Sequence, residues 1–234
     1  MAKRSSPSTQ SNVGIAAYAS SHPTFLMLKG RDSMPERQSP LAGVDAAVHA
    51  GTAPVHIRLR EQSLRQTWQI AGWPDTFPGA VRPLLKGLTV DALPDTRIAA
   101  ALPDGGSLLR VAPERLIFHD IGAQTAEVVR AHGEDEHLTA LDLSHADITL
   151  VIEGPAARDV MMRLVAIDVD ASAFPARAFA RTLLGQIPCL VLCASTQEGG
   201  VFSISLGRSY AHSAFNLIGL NARSFGCSVD VAQG

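Results

Sequence analysis

The chain has 234 residues, 46 % of them hydrophobic and 18 % charged, with a formal net charge of -2. That length suits one large domain or two small ones with a full core. The near-neutral balance gives no electrostatic case for a nucleic-acid or membrane-surface partner. The three cysteines, Cys189, Cys193 and Cys227, follow no disulfide spacing, which fits a reducing compartment. No apolar run approaches the roughly 18 residues of a membrane helix. The "VGIAAYAS" stretch after Lys3 and Arg4 mimics a signal peptide only faintly: its apolar part sits at the bottom of the roughly 7–15 residues of an h-region, and polar residues fill its approach. The expected location is therefore cytoplasmic.

Residues 1–38 are rich in Ser, Thr, Pro and Gly and keep no period, so they read as a mostly disordered arm with one apolar island, "PTFLMLKG". The globular part begins at "SPLAG", Ser39 to Gly43. Val55, Ile57 and Leu59 alternate with His56, Arg58 and Arg60, and Trp68 and Ile70 alternate with Gln69 and Ala71. These predict two strands that pair with each other. "FPGAVRPLLKGL" predicts a short helix despite Pro83. "RIAAALPDGGSLLRVAPERLIFHDIG" predicts three strands, with Asp104-Gly105-Gly106 supplying a tight turn. "AQTAEVVRAH" predicts a helix, and Gly133–His137 an acidic loop.

The second half repeats the order. "DITLVIE" is a strand, "PAARDVMMRL" a helix, "ARTLL" and "IPCLVL" strands turning at Gly185-Gln186, "VFSISL" an alternating strand, and "SYAHSAFNLIGLNA" a helix with Ser209 as candidate N-cap. "QIAGWPDTFPGAVRPLLKGLTVDALPD" overlays loosely on "LVIEGPAARDVMMRLVAIDVDASAFPA". The expected fold class is α+β: two pseudo-repeated ferredoxin-like units, about 50–135 and 136–222, packed as one body within a domain spanning 39–226, followed by a tail over 227–234.

Several features resemble chemistry and have simpler structural explanations. Gly154-Pro155 sits where a strand meets a helix, but a phosphate cradle needs further glycines and a Lys-Ser/Thr or G-x-G-x-x-G, so a structural corner is expected. Asp142, Ser144 and His145 suggest a triad. Adjacent strand side chains point to opposite faces, however, and no nucleophile elbow surrounds them. A turn closed by Asp142 or Ser144 on nearby backbone is expected instead. Cys189 and Cys193 share a strand face about 13 Å apart, too far to chelate one ion. Asp168 and Asp170 lack the companion ligands of a calcium loop. Trp68 and Trp73 read as packing anchors. Arg208 reads as a surface cation rather than an anion clamp. No catalytic, cofactor-binding or metal-binding residue is assigned.

Taken in order, "SPLAG", "VHIRLREQ", "LDLSHADITLVIEGPAARDVM", "IDVDASAFPARAFARTLLGQIPCLVL" and "VFSISLGRSYAHSAF" resemble the gamma subunit of heterotetrameric sarcosine oxidase. The resemblance rests on Asp142-x-Ser144-x-Ala146, "GPAARDV", Asp168-x-Asp170 followed by Phe174-Pro175, "ARTLL" and "RSYA". It implies the fold of the folate-binding aminomethyltransferase domain. It also implies a non-catalytic subunit packed mainly against alpha, beside beta and delta. The complex so implied demethylates an N-methyl amino acid, taking sarcosine to glycine and passing the one-carbon unit to tetrahydrofolate or releasing formaldehyde. FAD, FMN, NAD, tetrahydrofolate and zinc are implied on the other subunits and none on this chain. The pattern departs at "APERLIF", where Arg115 stands in place of a tryptophan, which keeps the corresponding subunit of N-methylglutamate dehydrogenase as an alternative. A stand-alone folate-dependent enzyme or folate-binding module is a third, with Glu114 as its nearest candidate for a pterin-holding carboxylate.

Overall fold

The computed structural model describes residues 39–44, 54–63, 65–133 and 135–230. The arm over 1–38 and the last four residues lie outside the described residues. The first repeat contains β1 (Ile57–Gln62), β2 (Gln66–Gly72), α1 (Phe77–Ala80), α2 (Arg82–Gly87), β3 (Ala100–Ala101), β4 (Ser107–Ala112), β5 (Arg115–Ile121) and α3 (Ala123–His132). The second contains β6 (Leu138–Asp142), β7 (Asp147–Glu153), α4 (Ala157–Leu164), β8 (Phe179–Leu184), β9 (Ile187–Ser195), β10 (Val201–Gly207) and α5 (Ala211–Ala222); β11 (Cys227–Asp230) follows. The predicted single helix over 77–88 is two short ones, because Pro78 and Pro83 each occupy a first-turn position that needs no amide donor.

Two sheets form, ordered β3-β4-β5-β2-β6 and β11-β1-β7-β10-β9-β8. Within the first, β6, β2, β5 and β4 stand in the ferredoxin-like arrangement, with the two helical segments as crossovers. The second reproduces it through β7, β10 and β9. The fold is thus α+β with two pseudo-repeated ferredoxin-like units.

The strand pairing corrects the expected β1–β2 hairpin. β1 leaves its own repeat and runs antiparallel to β7, while β6 runs antiparallel to β2. Each repeat therefore lends its first strand to the sheet of the other. The register makes the two strands equivalent: Leu59 lies opposite Ile152 and Ala140 opposite Ile70. Sequence follows, since His56-Ile57-x-Leu59-x-Glu61 matches His137-Leu138-x-Ala140-x-Asp142. The segments that join these strands to their followers are both pinned to the first sheet rather than folded into hairpins. Arg65 donates its amide to the Asp120 carboxylate at 3.0 Å, and Ser144 Oγ accepts the Thr67 amide at 3.1 Å. Residues 227–230, expected as tail, form β11, parallel to β1 at the sheet edge.

The repeats also meet at their third strands. The Ala99 amide donates to the Arg177 carbonyl and the Phe179 amide to the Arg97 carbonyl, both at 2.9 Å, around the Ile98–Ala178 bridge. Arg97 and Arg177 hold matching places in the overlaid halves, so this reciprocal pair lies on the pseudo-twofold relation between them.

Alternation in the strands divides the interior. One face of the second sheet carries Leu59, Leu150, Ile152, Phe202 and Ile204 against Val160, Met161, Phe215 and Ile218 of α4 and α5. The first sheet sets Trp68, Ile70, Leu116 and Phe118 against α1–α3. Each such side chain contributes roughly 1.5–3 kcal/mol on burial. The remaining faces share a smaller apolar patch centred on Ala99, Leu109 and Phe179. Leu41, ahead of β1, is fully buried in the second core.

Candidate functional site

The inner faces of the two sheets are half apolar and half polar. Beside the Leu109–Phe179 patch lie Thr67, His119, Thr149 and Ser205, all buried. Register assigns them in pairs: Thr67 opposes His119 across β2 and β5, and Thr149 opposes Ser205 across β7 and β10. Both threonines stand five residues before a strand-ending glycine, in the repeated pattern Thr-x-x-Ile-x-Gly that ends at Gly72 and Gly154. The four residues are thus two equivalent pairs brought together by the duplication.

Their bonding is not symmetric. Ser205 Oγ lies 2.8 Å from Thr149 Oγ1 and 3.1 Å from His119 Nε2. Thr67 Oγ1 is buried without a hydrogen-bond partner among the described residues. A β-bulge adjoins the first pair. Register shifts between Gln66 and Thr67, with Asp120 at φ 54 as the extra residue. Burial lowers the His119 pKa below its usual value, and the neighbouring Asp120 charge opposes this only in part. The ring is held neutral, with one nitrogen donating and the other accepting.

Thr67, His119 and Ser205 line a cavity of about 520 Å³ between the sheets, together with Asp147, Arg181, Tyr210 and apolar residues including Ile117 and Leu190. That size lies within the range of about 300–1,000 Å³ for small-molecule sites. Asp147 enters β7 from the Leu143–Ala146 turn, and its pKa is raised by burial, against the Arg181 charge. Arg181 projects from the edge strand β8 and is exposed. Sequence reading missed Thr67, His119, Asp147 and Arg181. The Thr-x-x-Ile-x-Gly repeat was the available signal for the first. Nothing local marks the other three, whose meeting depends on how the sheets face.

The residues singled out from sequence fall elsewhere. Gly154 has φ 119, and a Cβ there would collide with the carbonyl of His56, the residue before β1; it is a corner that lets the lent strand approach. The stripe beyond it, Ala156, Val160 and Leu164, is buried as expected. Asp142 accepts the Ser144 amide at 2.8 Å, and Ser144 serves the Thr67 backbone, so the turn explanation holds for both. Asp168 and Asp170 close turns on the amides of Asp170 and Ser172, both at 2.9 Å. Among the described residues no group of three or more His, Cys, Asp or Glu could hold a metal ion. The three cysteines are buried thiols, and burial pushes Cys189 up to about 11.

Trp68 is an anchor, buried under the Arg130 guanidinium. Trp73 is not: it is 72 % exposed, because the chain turns outward after Gly72. Ser209 does not cap α5. The chain enters that helix through a 3-10 turn, Arg208–Tyr210, with no side-chain cap. Arg208 is half-buried at its start and donates its amide to the Ala146 carbonyl at 3.2 Å. Glu114 lies in the β4–β5 turn and is not among the residues lining the inter-sheet cavity.

No family model matches the chain, and no curated protein matches it in sequence. Solved structures share its fold. One is a chain of the heterotetrameric sarcosine oxidase from Corynebacterium sp. U-96, in complex with pyrrole 2-carboxylate. It superposes with a TM-score of 0.70 at 20 % identity, over 81 % of this chain and 96 % of that one. Another is the glycine cleavage system aminomethyltransferase T from Bartonella henselae. It gives a TM-score of 0.52 at 17 % identity over 82 % of this chain, which spans about half (51 %) of the enzyme.

Proposed function

We propose that this chain is a non-catalytic subunit of a heterotetrameric flavoenzyme that oxidatively demethylates an N-methyl amino acid, in the place of the gamma subunit of sarcosine oxidase. One observation carries the reading. The fold accounts for 96 % of a whole chain of a heterotetramer, whereas it accounts for only 51 % of the aminomethyltransferase. A unit that spans nearly an entire chain in one assembly and about half of a longer enzyme chain fits the role of a subunit better than that of a complete enzyme. The partners are then alpha, beta and delta subunits, with flavin, NAD, folate and zinc on those chains and alpha as the main contact. Permanent interfaces of this kind commonly bury more than about 2,000 Å². Sarcosine and N-methylglutamate are the competing substrates.

The test is co-expression with neighbouring genes and purification through a tag on this chain. A yellow complex that oxidises an N-methyl amino acid is expected, and its substrate preference separates sarcosine from N-methylglutamate. Elution of the tagged chain alone, as a well-behaved monomer, overturns the reading.

The inter-sheet cavity favours a second reading, a folate-binding module. The cavity is of ligand size and has a half-buried carboxylate, Asp147, on its wall. Micromolar binding of tetrahydrofolate by the isolated chain, measured by calorimetry, would favour that reading over the first.

A further inference from the structure

We infer that the free edge of β6 takes up an extended, basic segment of a partner polypeptide as an added parallel strand. The inference rests on the subunit reading only for which chain supplies that strand. It starts from the duplication. β1 and β6 hold equivalent places, and β11 runs parallel to β1, setting Val229 beside Leu59. Leu59 matches Ala140 in the overlaid halves. No strand lies beyond β6 among the described residues.

The edge is open at the matching residue. The Leu143 amide donates to the Thr67 carbonyl at 2.8 Å, continuing the β6–β2 pairing. Alternation along the strand then turns the backbone groups of Thr139 and Leu141 toward β2 and those of Ala140 away from it. Leu138 also faces outward, but its amide donates to Asp135 Oδ1 at 2.9 Å, which closes that end. Natural edges are commonly blunted by proline, lysine or a bulge, and Leu138–Asp142 carries none of these. The β8 edge, by contrast, is met at both ends, by Ile98 and Val165.

Charge selects the occupant. Asp135 and Glu136 precede β6 and Asp142 ends it; all three are exposed, and none is in an ion pair among the described residues. A second copy paired here about Ala140 would bring the Asp142 end of each strand against the Asp135–Glu136 end of the other, acid against acid. A basic strand meets no such repulsion. The other sheet already follows this rule, since Asp230 of β11 lies beside Arg60 of β1. Alternate apolar residues in the added strand extend the row of Leu138 and Ala140 on one face. On the other they cover Leu141, which is 51 % exposed.

Fluorescence polarisation on the full chain tests this with a labelled peptide, Lys-Lys-Val-Thr-Val-Thr-Val-Lys-Lys, and its counterpart with glutamate for every lysine, at physiological salt. The basic peptide is expected to bind at least about tenfold more tightly than the acidic one. Ala140→Pro removes an outward amide, a change that edge strands accept. It should weaken the basic peptide at least about tenfold while the melting temperature holds. Glu136→Lys, at an exposed position, should weaken it about threefold. No binding of the basic peptide at millimolar concentration, equal binding of the two peptides, or binding indifferent to both substitutions overturns the inference. So does dimerisation of the free chain that Ala140→Pro abolishes, which gives the edge to a second copy. A complex that co-purifies although the peptide fails leaves the subunit reading standing, and peptide binding without co-purification does the reverse.

Discussion

The two lent strands occupy equivalent places and are held differently. β6 lies on the edge of its sheet, with β2 as its only neighbour among the described residues. β1 is interior, flanked by β7 on one side and β11 on the other. Its side chains match that position. Leu59 is fully buried where β6 has the half-buried Ala140, and Arg58 and Arg60 reach Glu153 at 3.6 and 3.9 Å. Those ion pairs are exposed enough to add at most about 1 kcal/mol. The difference teaches that duplication preserved the exchange of strands, while the second sheet became the better-filled half. That asymmetry can be attacked from both ends.

The largest effect is expected at the corner glycines. Gly72 and Gly154 each let a lent strand pass, since a Cβ would strike the carbonyl of His137 or His56. Gly154 also has a positive φ, which an L side chain adopts at a cost. Gly154→Ala should cost about 4 kcal/mol or more, and Gly72→Ala about half of that, in urea unfolding. An equal loss at both would mean the two strands are held alike. Next comes Leu59→Ala, which empties a fully buried site and should cost about 2–5 kcal/mol. If Leu59→Ala costs under about 1 kcal/mol, β1 is not the core strand its register makes it.

Much of this architecture was legible in the sequence. The strand–glycine–helix corners and the Asp104-Gly105 turn are local events, fixed by residues adjacent in the chain, and so is the alternation in β10. What could not be read is which unit a strand serves. The segment Ile57–Gln62 would suit either sheet, since only tertiary packing distinguishes pairing with β2 from pairing with β7. The candidate site failed for the same reason. Thr67 and Thr149 repeat visibly, yet Asp147 and Arg181 are ordinary strand residues until the sheets face one another. Trp73 misled because an aromatic beside a glycine looks like an anchor, and only the direction of the next turn exposes it.

The polar centre gives a smaller, pH-dependent effect. The folded pKa of His119 lies below its unfolded value of 6.5, so the unfolded chain binds the proton first as pH falls. Stability from the neutral ring is full above pH 6.5 and is lost as pH drops toward the folded value. Asp147, raised by burial, acts in the opposite sense, losing stability as pH rises from 3.8. His119→Gln should therefore flatten the fall in melting temperature between pH 7 and pH 5. If the variant falls as steeply as the parent, another group sets that slope.

The finest comparison is between Arg97 and Arg177, which trade backbone hydrogen bonds across the pseudo-twofold. Their backbones serve alike, so neither substitution disturbs the bridge itself. Their side chains differ: Arg177 donates Nε to the Ala99 carbonyl at 2.8 Å, whereas Arg97 is exposed. Arg177 also sits at φ 69, so Arg177→Gly would relieve strain while removing the hydrogen bond. Arg177→Ala keeps the strain and removes only the bond and packing, which makes it the cleaner probe. It should cost about 1 kcal/mol, and Arg97→Ala should stay within about 0.5 kcal/mol of the parent. Equal costs in denaturant titrations would assign the whole contribution of this junction to backbone, and with it the symmetric part of the fold.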